Sequence, residues 1–137
     1  MFEKFTIHSM VDRNVFTCFH TYHTPEHIIN WNYASEDWHC PNATSEFKEG
    51  GHFSYRMEAK DQSFGFDFTG IFDKIVEPTS IKYHMDDLRE VLIRFEGQGD
   101  QTLIKVIIDA EKENPIALQK RGWQSILNNF KKYVESL

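Results

Sequence analysis

Two stretches of the chain alternate between apolar and polar residues with a period of two, which is typical of antiparallel strands. The first stretch carries large apolar side chains at alternate positions on both sides of a polar turn centred on Asp61-Gln62. These positions are Phe53, Tyr55, Met57, Phe64, Phe66 and Phe68. A turn there pairs Tyr55 with Phe68. The same register pairs Met57 with Phe66, so the pattern predicts a hairpin with both rows on one face.

A second hairpin is predicted around the turn Gly97-Gln98-Gly99-Asp100. Counting outwards from this turn places two apolar rows on one face, formed by Val91, Ile93, Phe95, Ile104, Val106 and Ile108. Residues 2–10 predict a first strand, and a further strand with Ile81, Tyr83 and Met85 on one side lies between the hairpins. The pattern therefore predicts a meander of about five strands beyond the first.

Helix signals follow the first strand and close the chain. Asp12 is expected to cap one short helix, and Thr24-Pro25-Glu26 is a typical start for a second. For the C-terminal helix, Asn114 is the expected cap, with Pro115 at the first helical position. This helix has an apolar stripe composed of Ile116, Trp123, Ile126, Leu127, Phe130, Val134 and Leu137. The stripe must be buried against the sheet.

The predicted fold is α+β: a curved antiparallel sheet of six to seven strands, with the long C-terminal helix laid over it. A strongly twisted sheet curls, so a helix across its concave side leaves room for a cavity. The predicted lining, mostly aromatic as in small-molecule sites, comprises Phe53, Tyr55, Met57, Phe66, Phe68, Tyr83, Phe95, Val106, Trp123, Leu127 and Phe130. Tyr55, Tyr83 and Trp123 supply its polar tips, and Gly122 suggests a close backbone approach beside Trp123. The same residues can also form a filled core without a cavity. The pattern alone favours the filled core over the cavity.

The composition and the net charge argue against some classes of function. The chain of 137 residues is 40% hydrophobic and 26% charged, which fits one globular domain over residues 1–137. A net charge of −6 without a basic stripe argues against nucleic acid and against anionic membrane surfaces as partners. No signal peptide or transmembrane run is recognised, and Cys18 and Cys40 have no framework spacing. A reduced, cytoplasmic protein is expected.

Two chemical alternatives remain at this stage. His20, His23, His27 and His39, with Cys40, are residue types that bind zinc. However, His23 and His27 straddle a helix start, and no CxxC or HExxH motif is present, so neither a metal nor another cofactor is expected. Cys40 beside His39 can be interpreted as a nucleophilic pair, although neighbours in sequence usually point apart.

Three strings carry a resemblance to a known family: TPEHIINWNYASEDWHCP (24–41), GGHFSYRMEAKDQSFGFDFTG (50–70) and ENPIALQKRGWQSILNNFKKYVESL (113–137). They resemble the branch of the START-like, helix-grip (SRPBCC) superfamily named after the activator of the 90-kDa heat-shock ATPase. The resemblance covers nearly the whole chain. It implies a deep cavity between sheet and last helix, where superfamily members bind lipids, sterols, hormones and polyketides.

The resemblance also bears on residues and partners. Trp31, Trp38 and Trp123 match family positions near the cavity or its entrance, so they are ligand-binding candidates. Some superfamily members are cyclases or hydrolases, yet no shared catalytic set can be carried over. A related self-sacrificing resistance protein binds an enediyne antibiotic. The eukaryotic namesake binds its chaperone through an additional N-terminal domain, for which this chain is expected to have no room.

The leading hypothesis from the sequence is a binding protein for a small hydrophobic molecule, lipid-like or polycyclic, in stress response or detoxification. The second is a protein-interaction module that modulates a chaperone ATPase. The third is an enzyme acting on a hydrophobic substrate, with His39, Cys40 or a pocket tyrosine as acid or base.

Overall fold

The computed structural model describes residues Met1–Leu137 and has an α+β fold. A curled, seven-stranded antiparallel sheet carries two short helices after its first strand and one long helix at its C-terminal end. The elements in chain order are β1 (Lys4–Val11), α1 (Val15–His23), α2 (Pro25–Ile28), β2 (Trp38–Ser45), β3 (His52–Ala59), β4 (Gly65–Val76), β5 (Ser80–Met85), β6 (Glu90–Gln98), β7 (Gln101–Asp109) and α3 (Ile116–Glu135). The fold class predicted from the sequence is confirmed.

The sheet order is β1-β7-β6-β5-β4-β3-β2, with every neighbouring pair antiparallel. Strands β2 to β7 form a meander, because each connection between them is short enough to bring consecutive strands side by side. The first strand is the exception. It pairs with β7 at the far edge, so the two helices after it carry the chain across the concave face to β2.

Both predicted hairpins have the expected register. Tyr55 lies opposite Phe68 and Met57 lies opposite Phe66 in the β3–β4 pair. In the β6–β7 pair, the apolar rows also face each other as predicted, with Val91 opposite Ile108, Ile93 opposite Val106 and Phe95 opposite Ile104. The alternation was sufficient to fix these registers, since a slip of one residue would turn each row to the other face.

One strand is absent from the sequence prediction. Strand β2 forms the free edge of the sheet and contains the exposed Pro41. Its pairing with β3 shifts register between His39 and Asn42. Proline in a sheet is confined to edges and bulges, and the shift interrupts the period of two, so the sequence here lacks the usual strand signal.

The cap predicted for α1 is wrong by two residues. The side-chain oxygen of Asn14 accepts a hydrogen bond from the backbone N–H of Thr17 at 3.0 Å. Asp12 instead follows directly after β1, and its own N–H donates to the carboxylate of Glu135 at 2.8 Å. The chain needs these extra residues to leave the sheet, since β1 continues to Val11 rather than ending at residue 10.

Helix α3 also differs in detail from its prediction. It begins at Ile116, with Pro115 in the extended conformation at the cap position, so Asn114 lies outside the helix. Leu127, Phe130 and Val134 are fully buried, whereas Leu137 is beyond the helix end and exposed. The close approach predicted at Gly122 is wrong, because a Cβ atom built there meets nothing within 4 Å.

The core lies between the concave face of the sheet and the three helices. Helix α3 runs close along β1 and contacts α1, and its backbone makes no comparable approach to β3, β4 or β5. The far half of the curled sheet is therefore separated from α3 by side chains and open space. No helix of the chain combines the length and the apolar composition needed to cross a membrane.

Candidate ligand-binding cavity

A cavity of about 270 Å³ occupies the space between the concave sheet face, α1 and α3. Its wall is formed by 16 residues, 14 of them hydrophobic: Ile7, Tyr22, His23, Trp31, Asn32, Tyr55, Met57, Phe66, Phe68, Phe72, Ile81, Tyr83, Ile93, Trp123, Ile126 and Leu127. An apolar cavity lined by aromatic rings with a few polar groups is typical of small-molecule sites. The cavity volume is also well above the volume that one water molecule needs.

The sheet provides the floor of the cavity through the alternation of β4. Phe66, Phe68 and Phe72 point to the concave side from every second position, interrupted only by Gly70. A Cβ atom at Gly70 would lie 2.5 Å from Cζ of Phe53, so the ring of Phe53 occupies the space that a side chain would need. The ring of Phe53 therefore lies over Gly70, in the core behind the cavity wall.

Helix α3 and the segment after α2 provide the roof. The ring of Trp123 meets Phe68 edge to face, with 6.0 Å between ring centroids. Trp31 is buried, and its indole N–H donates to the carbonyl of Thr21 at 3.4 Å. Phe130 packs edge to face on Trp31, at 5.0 Å between centroids, and holds it from behind. The indole of Trp31 is therefore fixed by contacts on its far side while it faces the cavity.

Eight of the residues proposed from the sequence lie in the wall: Trp31, Tyr55, Met57, Phe66, Phe68, Tyr83, Trp123 and Leu127. The other five do not line it: Trp38, Phe53, Phe95, Val106 and Phe130. Phe53, Phe95, Val106 and Phe130 belong to the filled core behind the wall. Phe95 is held there by Phe19 of α1, at 5.2 Å between ring centroids.

An aromatic rim, formed by Trp38, Phe64 and Phe66, borders the cavity at the end of the β3–β4 hairpin. Phe66 belongs to the wall and is still 43% exposed, so the cavity reaches the surface at this residue. Trp38 lies 6.1 Å from Phe66 and 5.9 Å from Phe64 between ring centroids. Trp38 therefore lies at the entrance rather than inside the cavity.

Eight further residues lie in the wall that were not predicted from the sequence to line it: Ile7, Tyr22, His23, Asn32, Phe72, Ile81, Ile93 and Ile126. Phe72 and Ile81 had a signal, since they continue the alternation of Phe68 and Tyr83. Tyr22 and His23 had none, because they lie at the end of α1 and their direction depends on how that helix is placed over the sheet.

Three tyrosines bring hydroxyl groups to this apolar wall. The side chains of Tyr22, Tyr55 and Tyr83 make no hydrogen bond to any protein group. Burial raises the pKa of each phenol well above its ordinary value. Tyr83 is only 9% exposed, and Tyr22 and Tyr55 are partly exposed. All three phenols are neutral at physiological pH.

His23 is the only wall residue that could carry a positive charge. Its ring stacks on Phe47 with 3.6 Å between centroids and 3° between planes. Burial, reinforced by the neighbouring His20, lowers the pKa of His23 to about 4. The imidazole is therefore neutral at pH 7, and the whole cavity wall carries no net charge.

The geometry does not assemble a nucleophilic site. No lysine, arginine, carboxylate or cysteine lines the cavity. The thiol of Cys40 is buried and donates to the carbonyl of Asn42 at 3.5 Å, and burial raises the pKa of Cys40 to about 11. His39 instead lies 3.8 Å from the carboxylate of Glu58. The pair suggested by their adjacency in sequence is thus not formed.

The cluster of His20, His23 and His27 does not form a metal site either. His20 lies within 6 Å of both His23 and His27 between ring centroids. His27 uses its Nδ1 atom in a 2.7 Å hydrogen bond with the hydroxyl of Tyr133. No group of three or more His, Cys, Asp or Glu side chains is arranged to hold a metal ion.

The chain is similar in sequence and structure to proteins of one known family. The family described as "Activator of Hsp90 ATPase homolog 1-like protein" matches residues 14–135. A solution structure of an AHSA1-like protein from Aeromonas hydrophila is 39% identical, with a TM-score of 0.92, covering 98% of this chain and 93% of that one. The protein Chr148 from Cytophaga hutchinsonii is 41% identical, with a TM-score of 0.84, covering 97% and 92%.

A structure with much lower sequence identity shares only the fold with this chain. The protein NE0264 from Nitrosomonas europaea is 12% identical, with a TM-score of 0.83 over 97% of this chain and 94% of that one. Among curated proteins none matches the chain. The match over residues 14–135, together with relatives of about 40% identity over nearly the full length, means that this chain belongs to the family of Activator of Hsp90 ATPase homolog 1-like proteins.

Proposed function

We propose that this protein binds a small, uncharged, largely aromatic molecule in the cavity between its sheet and α3. The observation that carries the proposal is the open apolar space of about 270 Å³ with a wall that has no net charge at pH 7. A cavity of this kind costs a protein packing energy, since each missing contact in a core is destabilising. A ligand that fills the space restores those contacts.

The volume limits the size of the ligand. An apolar cavity of about 150 Å³ holds one benzene molecule, so at the same filling this cavity takes roughly eleven non-hydrogen atoms. That is the size of a two-ring aromatic compound. Long-chain lipids and sterols are larger, and they would need the rim at Phe66 to open.

The wall chemistry limits the charge of the ligand. A carboxylate or ammonium group would lose its hydration without gaining an opposite charge, because no acidic or basic side chain lines the cavity. Burial of about ten aromatic carbons contributes roughly 8 kcal/mol before the costs of association are subtracted. We therefore expect Kd values between about 10 µM and 1 mM for unsubstituted two-ring compounds.

Tryptophan fluorescence offers a direct test, because Trp31 and Trp123 both lie in the wall. Titration with a panel of one- and two-ring aromatics, including naphthalene, should give saturable changes and raise the melting temperature. Pyrene should bind much more weakly because it exceeds the cavity. Absence of saturable binding across the whole panel would refute the proposal.

Two variants locate the binding inside the cavity. Ile126→Phe adds bulk to the roof and should abolish the naphthalene signal in calorimetry and melting, whereas Trp123→Ala removes ligand contacts from the wall and should weaken that signal. Leu118→Ala is the matched control, since Leu118 lies on the same helix, is 50% exposed and does not line the cavity. It should bind naphthalene as the wild type does.

A chaperone partner is the second candidate, supported by the family description, which names the activator of the Hsp90 ATPase. The aromatic rim, in which Phe64 and Phe66 are exposed and Trp38 is half-buried, is the surface proposed for such a contact. Measured ATP turnover of an Hsp90 protein should then change on addition of this protein, and Phe64→Ser should remove the effect. A role in stress response or detoxification would follow from the identity of the bound molecule.

A further inference from the structure

Apart from the neutral ring of His23 and the amide of Asn32, which donates to the sulfur of Met57 at 3.5 Å, the polar groups of the cavity wall are three tyrosine hydroxyls without protein partners. Tyr22 comes from the end of α1, Tyr55 from β3 and Tyr83 from β5, so three separate elements contribute a tyrosine to the wall of one apolar space. They lie close enough for a charge on one to raise the pKa of another. No other hydroxyl group lines the cavity.

An unpaired hydroxyl in an apolar space is costly. Leaving a buried donor without a partner costs about 1–3 kcal/mol, and most buried polar groups in proteins are therefore satisfied. Tyr133 illustrates the usual solution, since its hydroxyl binds His27 at 2.7 Å and Asn30 at 3.5 Å. In a space large enough for water, solvent can serve the three cavity phenols until a ligand displaces it.

The displacing molecule has to replace those hydrogen bonds. A pure hydrocarbon would leave the phenols unpaired, whereas a carbonyl oxygen can accept hydrogen bonds from two of them. A carboxylate would also accept, but it would be buried without a cation, because His23 is neutral and no lysine or arginine is present. The chemistry thus favours a neutral oxygen acceptor over both a hydrocarbon and an anion.

We propose that Tyr22, Tyr55 and Tyr83 form a polar subsite that selects neutral aromatic ligands carrying an acceptor oxygen, such as aromatic ketones. This inference rests on the proposed function, since it requires that the cavity takes an aromatic ligand at all. It adds the substrate class: a two-ring skeleton for the apolar wall and a carbonyl for the phenols. The rings of Trp31, Phe68 and Trp123 then contact the skeleton.

A pair of probes of nearly equal shape tests the subsite: 1-tetralone, which has the ketone, and tetralin, which lacks it. Calorimetric titration of the wild type should give binding of 1-tetralone about tenfold tighter than that of tetralin, the effect of one or two good hydrogen bonds. 1-Naphthoate should bind more weakly than 1-tetralone. Equal affinities for 1-tetralone and tetralin would overturn the subsite while leaving the proposed function in place.

Tyr→Phe variants remove only the hydroxyls and keep the packing of the rings. Single variants at Tyr22, Tyr55 and Tyr83, and the triple variant, should bind tetralin as the wild type does. Affinity for 1-tetralone should fall about threefold to tenfold in the single variants whose hydroxyl contacts it, and to the level of tetralin in the triple variant. Tyr133→Phe is the control, because that phenol lies outside the cavity wall.

The remaining outcomes are also decisive. A preference for 1-tetralone that survives in the triple variant would overturn the inference, because the selectivity would then come from other groups. Failure of both probes to bind a wild type that binds naphthalene would overturn this inference alone, and failure of the whole aromatic panel would overturn the proposed function with it. The melting temperature of each single variant should be measured as well, because a lost preference is assigned to the hydroxyl only in a variant that is folded.

Discussion

Two glycines in this chain should respond in opposite ways to the same substitution. Gly122 lies in the interior of α3, and a Cβ atom there meets nothing within 4 Å. Glycine in a helix interior costs about 0.5–1 kcal/mol relative to alanine. Gly122→Ala should therefore increase the free energy of unfolding by about that amount.

Gly70 in β4 has the opposite environment. An added Cβ would lie 2.5 Å from Cζ of Phe53 and 2.6 Å from the backbone carbonyl oxygen of His84. The ring of Phe53 is already packed against Tyr55 and Tyr83, whose centroids are within 5 Å of it, and the carbonyl belongs to a residue of the β4–β5 ladder. Overpacking of this kind costs about 1–3 kcal/mol.

Calorimetric melting and urea unfolding measure both effects. We expect the melting temperature to rise by about 3 °C for Gly122→Ala and to fall by about 5–10 °C for Gly70→Ala. Phe53→Leu combined with Gly70→Ala should recover part of the loss, because it removes one of the two clashes. Gly70→Ala with wild-type stability would show that Phe53 does not lie over this residue, and a destabilising Gly122→Ala would contradict the open space at that turn.

Two further predictions concern charge. The pKa of His23, about 4, lies below the ordinary value of 6.5, so the unfolded chain binds more protons between these values and stability falls as the pH is lowered through this range. His23→Gln should flatten that loss in melting experiments from pH 7 to 4, whereas His8→Gln, at an exposed residue, should not. The buried carboxylate of Asp109 accepts from the N–H of Glu90 at 2.8 Å and pairs with Lys4. Asp109→Ala should cost about 2 kcal/mol in urea unfolding and Lys4→Ala less than about 1 kcal/mol; equal losses would contradict this assignment.

The regular parts of the sheet could be predicted because burial imposes a period of two. The register of Tyr55 with Phe68 follows from the position of the turn, and the structure has that register. Strand β2 was missed because Pro41 and the register shift between His39 and Asn42 remove the period where the strand lies at an edge. Local alternation is informative only where one face of a strand is regularly buried.

The helix starts were predicted to within one or two residues. Asp12 and Asn14 are both good caps, and only the length of β1 decides that Asn14 is used. Pro115 is compatible with either the cap or the first helical position, so the sequence could not choose between a start at Pro115 and one at Ile116.

The cavity itself could not be deduced from residue types. Phe53 and Phe68 have the same pattern in the sequence, yet Phe53 is buried over Gly70 and Phe68 lines the open space. The difference arises from packing in three dimensions, since the rings of Tyr55, Phe72 and Tyr83 enclose Phe53. Tyr22 and His23 lie in the wall because of the position of α1 over the sheet. That position depends on contacts between distant residues, such as that of Phe19 with Phe95.

The proline of strand β2 has a consequence for behaviour in solution. A sheet edge with regularly spaced N–H and carbonyl groups is a template onto which strands of other molecules can add. Along β2, Pro41 provides no N–H, and the shift between His39 and Asn42 breaks the spacing that an incoming strand would have to match. The β2 edge of the sheet is thereby a poor template for the addition of a strand from another molecule.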